Sequence, residues 1–494
     1  MNAVLLSVLV VPALGILAVG AGAWTGNRRL GAVLGTVFAG VGLFAAIALA
    51  ADHSGAPWSR LTWEWVPQLG LDFDIGVDGV SYPLVLLSAF LTFLCCLYTV
   101  WKGAPGGRED QLIALLLATN LGMLGVFLSF NLVLFFVFFE IVLLPMFAII
   151  AGWGGPARRH ASVKFALYTL MGSLLLLVGI FVIVTQAGTG DIIELTASGG
   201  GGLSRGTQLL AFTLLAVGLA IKAPLWPLHS WLPDAHTEAP TVGSVILAGV
   251  LLKLGTYGLI RVAVGVAPEG AEQAAPTLAV LAVVAIIAAG LICLAQTELK
   301  RLIAYSSVGH MGFVLLGIAT LTEAGLTAAL IGNVAHGLIT GLLFFLAGSV
   351  KDRAHTGELA RLGGLREVAP GLSGLLGFAA IASLGLPGLA GFWGEAFAVY
   401  AAVQRDQTLW TVLAVVAAIG AALAAAYLLR MLRLVTHGPP GEAVAAMSGT
   451  RLRAVEVTSF VPLAVGVLAV GLLPFIVQAP IGAAVSGILQ AISR

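Results

Sequence analysis

The sequence predicts an all-α polytopic membrane protein with about fourteen transmembrane helices. Of its 494 residues, 59% are hydrophobic and only 10% are charged. Apolar runs of about twenty residues recur from one end to the other, and at about 1.5 Å per helical residue each crosses a hydrocarbon core roughly 30 Å thick. The runs are continuous rather than alternating and about twice as long as a tilted membrane strand requires, which excludes a β-barrel. A net charge of +1 argues against nucleic acid or an acidic partner. Cys95, Cys96 and Cys293 fall inside apolar runs at spacings that suit neither a metal site nor a disulfide framework, so they read as small core residues.

Hydropathy places the spans near residues 12, 40, 91, 121, 141, 175, 218, 252, 285, 310, 336, 385, 420 and 465. The first run, Ala3 to Ala21, has no basic leader or convincing cleavage site and reads as a retained span. Odd-numbered connections hold seventeen Lys and Arg residues, among them Arg28, Arg158, Lys300, Arg301, Lys351 and Arg353. Even-numbered connections and the tail hold five: Arg60, Arg205, Arg261, Arg405 and Arg494. By the positive-inside rule the odd connections are cytoplasmic and both termini face outward. Residues 58–81 alternate apolar and polar side chains, with turn chemistry around Gly70 and Gly79, and suit an outward hairpin. In the tail, Val485, Ile488, Leu489 and Ile492 recur at helical spacing, as in a helix on the outer interface.

Six ionisable residues stand inside the spans: Glu140, Lys222, Lys253, His310, His336 and Glu395. In AGVLLKLGTYGL, Lys253 lies at the middle of the apolar run from Val242 to Val262. A charge at bilayer centre costs at least roughly 2.5–3.5 kcal/mol, so each of the six must face protein or water. One such residue fits an interhelical hydrogen bond as well as a function. Six acids, lysines and histidines at similar depth are what a proton relay requires.

Helix breaks fall beside two of them. In KAPLWPLHSWLP, Pro224 and Pro227 remove backbone donors just after Lys222, and in SLGLPGLAGFWGE, Pro387 and three glycines lie a turn or two before Glu395. Broken helices at membrane depth are tolerated only against protein or a wet cavity. Laying spans 4–8 on spans 9–13 matches Glu140 with His310 and Lys222 with Glu395, and the separations within the two units, Glu140 to Lys222 and His310 to Glu395, are 82 and 85 residues. A unit of five spans returns inverted, which gives two inverted five-helix repeats with a broken helix in each. The expected organisation is residues 1–110 for three N-terminal helices and the hairpin, 111–265 and 266–435 for the two repeats, and 436–494 for the last span and tail helix.

FFEIVLLPMF, KAPLWPLHSWLPDAHTEAPT, LLKLGTYGLIR, KRLIAYSSVGHMGF and GFWGE resemble the antiporter-like membrane subunits of respiratory complex I, in particular the subunit M or chain 4 branch of bacterial NADH:quinone oxidoreductase. The resemblance covers nearly the whole chain. It implies a multi-pass protein of the bacterial cell membrane, flanked on both sides by other membrane-arm subunits. It implies proton translocation as part of an enzyme whose NADH, FMN, iron-sulfur clusters and quinone belong to partner subunits, with no redox centre here. Carried over by motif, Glu140 pairs with Lys222, Lys253 is the central relay lysine, His310 and His336 continue the axis, and Glu395 is the terminal acid. Sister subunits typically carry lysine in place of Glu395.

The mechanism expected is a switch. Opening a Glu140–Lys222 pair sends a proton along Lys253, His310, His336 and Glu395, with energy supplied from outside the chain. The alternatives are a subunit of an Mrp-type cation/proton antiporter or of a membrane-bound hydrogenase, both of which share such subunits.

Overall fold

A computed structural model describes residues 2–51, 57–66, 71–447 and 451–492. Fourteen helices among them are long and apolar enough to cross a membrane. Their membership differs from the expected set at one place. The span expected near residue 385 is split into Pro370–Ser383 and Ala390–Gln404, each too short to cross alone, while the tail helix Phe475–Ile492 is long enough to be counted.

The breaks arise where proline and glycine remove helical backbone. The helix Arg205–Lys222 stops at Lys222 as Pro224 and Pro227 approach, and helix resumes only at Trp231–Glu238. In the second break, Gly385 and Gly388 take φ of +71° and +90°, a region that other residues enter only with strain. A third interruption was not anticipated. Leu132–Ile141 and Leu143–Trp153 are separated at Val142, because Pro145 lacks the N–H that would bond the Ile141 carbonyl.

The hairpin forms as expected, with Ser59–Val66 antiparallel to Leu71–Val77 and Ser59 opposite Val77; its turn, including Gly70, lies outside the described residues. It docks on the connection after the helix Glu109–Leu128, where Ile75 bridges to Ser129, and that connection pairs onward through Asn131 with Asp191. Arg60 ties the hairpin to the Asp191 segment by donating to Asp74 (2.6 Å) on the facing strand and to Asp191. Its hydrogen bonds to Asp74 hold its guanidinium protonated well beyond the ordinary arginine range. The tail helix lies over this end of the bundle with Ile481, Val485 and Ile488 turned inward, packed on the short helix Ile192–Ala197.

Two helices form the core. Thr241–Val264 is buried along its whole length and Glu323–Ala354 nearly so. The first contains two wider π turns, Leu247–Leu251 and Leu259–Val264, that flank Lys253. Such bulges often mark functional sites. Cys95, Cys96 and Cys293 are free and buried.

Several charges counted as loop residues are buried. Arg261 lies inside the helix Thr241–Val264 and is ion-paired with Asp78, not in an outer connection. Arg353 is paired with Glu456 at 2.6 Å, with both side chains under 5% exposed. Lys300 is buried in the first turn of Leu299–Ala319 and donates to the Ala239 carbonyl at 3.0 Å. These side chains sit near span ends, where hydropathy alone cannot separate a loop charge from a paired one.

Candidate proton-relay site

Lys253, His336, His310 and Glu395 form one contiguous file. Lys253 is fully buried, and its ammonium donates to the Ala248 carbonyl in the adjoining π turn (2.6 Å) and toward His336 Nδ1 (2.6 Å). The His336 and His310 ring centroids are 5.9 Å apart. His310 Nδ1 lies 2.6 Å from Glu395 Oε1, and Ser383 Oγ lies 2.9 Å from His310 Nε2. A cavity of about 20 Å³ separates the two histidines, with Thr340, Ser383 and Glu395 also on its wall. That volume accommodates one water.

The expected order of the histidines is therefore corrected. Lys253 meets His336, not His310, because its helix packs against Glu323–Ala354, while His310 is carried by Leu299–Ala319 on the far side. Glycine makes the first approach possible. A Cβ on Gly337 would fall 2.7 Å from the Gly249 carbonyl, so the helices carrying His336 and Lys253 touch backbone to backbone beside the two side chains. Glu395 is brought in similarly, since a Cβ on Gly394 would fall 2.6 Å from Gly332 Cα.

The expected Glu140–Lys222 pair is not closed to ion-pair distance. Lys222 is buried with its ammonium over the Phe139 ring at 4.7 Å and near Phe165 at 5.9 Å. Glu140 is partly buried and acts on Lys222 by charge across space, without an ion pair of 4.0 Å or less. The ring of the residue preceding Glu140 occupies the ammonium instead, a cation–π contact that strengthens where water is absent.

Lys222 does approach Lys253 through its backbone. A Cβ on Gly255 would meet Ala223 N and Leu219 O at 2.6 Å, so the helix bearing Lys253 crosses the end of the helix bearing Lys222 at contact distance. The two lysines therefore stand on neighbouring backbones, with Glu140 beyond the first.

Residues 129–420 match the family described as "NADH:quinone oxidoreductase/Mrp antiporter, TM". The chain belongs to that family. All six ionisable residues singled out within the spans lie inside the matched region. The chain is 45% identical over 309 residues to NAD(P)H-quinone oxidoreductase chain 4 1 of Synechococcus sp. (strain JA-3-3Ab), covering 62% of this chain and 58% of that protein. It is 43% identical over 316 residues to NADH-quinone oxidoreductase subunit M of Rhodobacter capsulatus, covering 62% and 61%. The matches thus span less than two thirds of the length of these curated relatives. A chain of respiratory complex I from Thermus thermophilus with bound NADH superimposes with a TM-score of 0.88 at 30% identity, covering 98% of this chain and 99% of that one. A chain of the Mrp complex from Dietzia sp. DQ12-45-1b shares the fold, with a TM-score of 0.87 at 22% identity and full coverage of both.

Several polar residues of this family member escaped the sequence reading. Ser383 and Thr340 line the central cavity. Thr256 donates to Asn333 Oδ1 at 2.9 Å, joining the helices of Lys253 and His336. His236 is fully buried, stacked on Phe344 at 4.5 Å, with neither ring nitrogen hydrogen-bonded. Hydroxyl and amide side chains carry little hydropathy signal within an apolar run. The one available clue for His236 was its place in the proline-rich block after Lys222.

Proposed function

We propose that this chain is a proton-translocating membrane subunit of an NADH:quinone oxidoreductase of the respiratory complex I type. Protons pass along Lys253, His336, His310 and Glu395, driven by redox chemistry in partner subunits that hold the NADH, FMN, iron-sulfur and quinone sites. The supporting observation is the direct pairing at both ends of the file, Lys253 with His336 and His310 with Glu395, each at 2.6 Å. In a low-dielectric interior these contacts allow exchange of a proton between groups that differ by one charge.

Lys222 and Glu140 act as the gate before Lys253. Because Glu140 influences Lys222 through space, a small displacement of Glu140 changes the ammonium's environment without breaking a contact. Moving one charge against 100 mV requires about 2.3 kcal/mol, which such a change gates but does not supply. In this reading, residues 111–265 and 266–435 are the inverted repeats, residues 1–110 and 436–494 flank them, and both termini face the outside of a bacterial cell membrane. Other membrane-arm subunits sit on both sides.

An Mrp-type antiporter subunit is the second reading, supported by the family's shared description and the full-length resemblance in shape. Purifying the chain with its partners separates the two: flavin and iron-sulfur subunits support the oxidoreductase, and their absence from an otherwise intact complex overturns it. Within the complex, Lys253→Met should abolish proton uptake into proteoliposomes without loss of assembly. Native uptake in that variant would overturn the relay.

A further inference from the structure

Both ring nitrogens of His310 are already engaged, Nδ1 with Glu395 and Nε2 with Ser383. His310 therefore has no free nitrogen with which to take a proton directly from His336. On the other side, His336 Nε2 is buried and has no hydrogen-bond partner among the described residues. The cavity that both histidines line is mainly apolar but carries the polar side chains of Thr340, Ser383 and Glu395 as well, and holds room for one water; Ser383 both lines it and contacts His310.

We propose that Ser383 carries the proton from His336 to His310, its hydroxyl taking one proton from the cavity water while passing its own to His310 Nε2. This rests on the relay reading above. The Lys253 ammonium gives a proton to His336 Nδ1, and the ring releases the proton on Nε2 to the water. The water passes one to Ser383 Oγ as the serine proton moves to His310 Nε2, and His310 releases its Nδ1 proton to the Glu395 carboxylate. Each N–H or O–H bond broken is matched by one formed, and one proton has moved from Lys253 to Glu395. Each imidazole is entered at one nitrogen and left by the other.

A hydroxyl suits this position because it donates and accepts at once. The fold adds a geometric reason. Ser383 is the last residue of the helix Pro370–Ser383, and Glu395 belongs to the helix that resumes after the break, so His310 is held from both sides of one interrupted span.

The test uses the complete complex in proteoliposomes, with NADH and a soluble quinone, and reads protons moved per electron. Ser383→Ala removes the hydroxyl, and Ser383→Val, the isostere of Ser383→Thr, fills the space with groups that neither donate nor accept. Both should lower proton movement by about ten-fold or more, the scale of a lost proton-transfer group, while Ser383→Thr should restore it and retain the native pH profile. Native proton movement in Ser383→Val would overturn the proposal. So would an equal loss in Ser383→Thr with assembly intact, which would mark a packing role. His310→Ala is the control: native movement there would remove the relay itself, whereas loss there with native Ser383→Val removes only the serine step.

Discussion

Lys253 and His336 are 83 residues apart in sequence and meet at 2.6 Å in the middle of the bundle. Arginine tests whether that contact needs a charge or a transferable proton, because a guanidinium stays protonated at every accessible pH. Lys253→Arg should therefore lose proton pumping about as fully as Lys253→Met while the complex still assembles. Pumping at native rate in Lys253→Arg, read by acidification of proteoliposomes, would mean that the lysine serves only as a fixed charge.

The approach of those two helices depends on the absence of side chains at Gly249 and Gly337. A valine at Gly337 meets the opposing carbonyl, so one helix must shift, at a cost of about 1–3 kcal/mol for overpacking. Gly337→Val should lower the thermal unfolding midpoint modestly and reduce pumping more severely than Gly341→Val, where the added carbon meets only side chains at 3.4 Å or more. Equal effects at the two positions would count against the geometric argument.

Arg353 and Glu456 are paired where almost no water reaches them. Removing one partner strands a buried charge, which typically costs about 3–5 kcal/mol. Glu456→Ala should thus sharply destabilise the packing of Ala454–Leu472 on Glu323–Ala354, read as faster proteolysis near residues 451–453. The double variant Arg353→Met with Glu456→Met should recover most of that loss. No recovery would show that the pair does more than cancel its own charges.

Glu140 acts on Lys222 through space, so its loss should be graded. Two unit charges held beyond ion-pair distance interact by less than about 4 kcal/mol at an effective dielectric of about 20. Glu140→Gln should then slow pumping less than Lys253→Met does, with assembly unchanged. An effect as large as that of Lys253→Met would indicate that Glu140 carries the proton itself.

The sequence reading was strongest where the physics is local. Continuous apolar runs located the spans, Pro224, Pro227 and Pro387 marked two breaks, and six charges in oil declared themselves. It was weakest where helices choose neighbours. His310 precedes His336 in the chain and follows it in the file, because helix adjacency is set by packing at Gly249, Gly337, Gly332 and Gly394. The interruption at Val142 was legible in Pro145 but was hidden by the strong hydropathy of FFEIVLLPMF. Ser383 and Thr340 do not stand out in the sequence, because a hydroxyl in an apolar helix is ordinarily satisfied by its own backbone.

The aromatic seat beneath Lys222 has a further effect. Had a carboxylate been its immediate neighbour, each departing hydrogen ion would leave an orphaned anion behind, and electrostatic recoil would pull the ion back. A benzene face holds an ammonium by its quadrupole and stays neutral after the lysine is discharged. In the proposed relay, this neutral seat would ease release of the Lys222 proton.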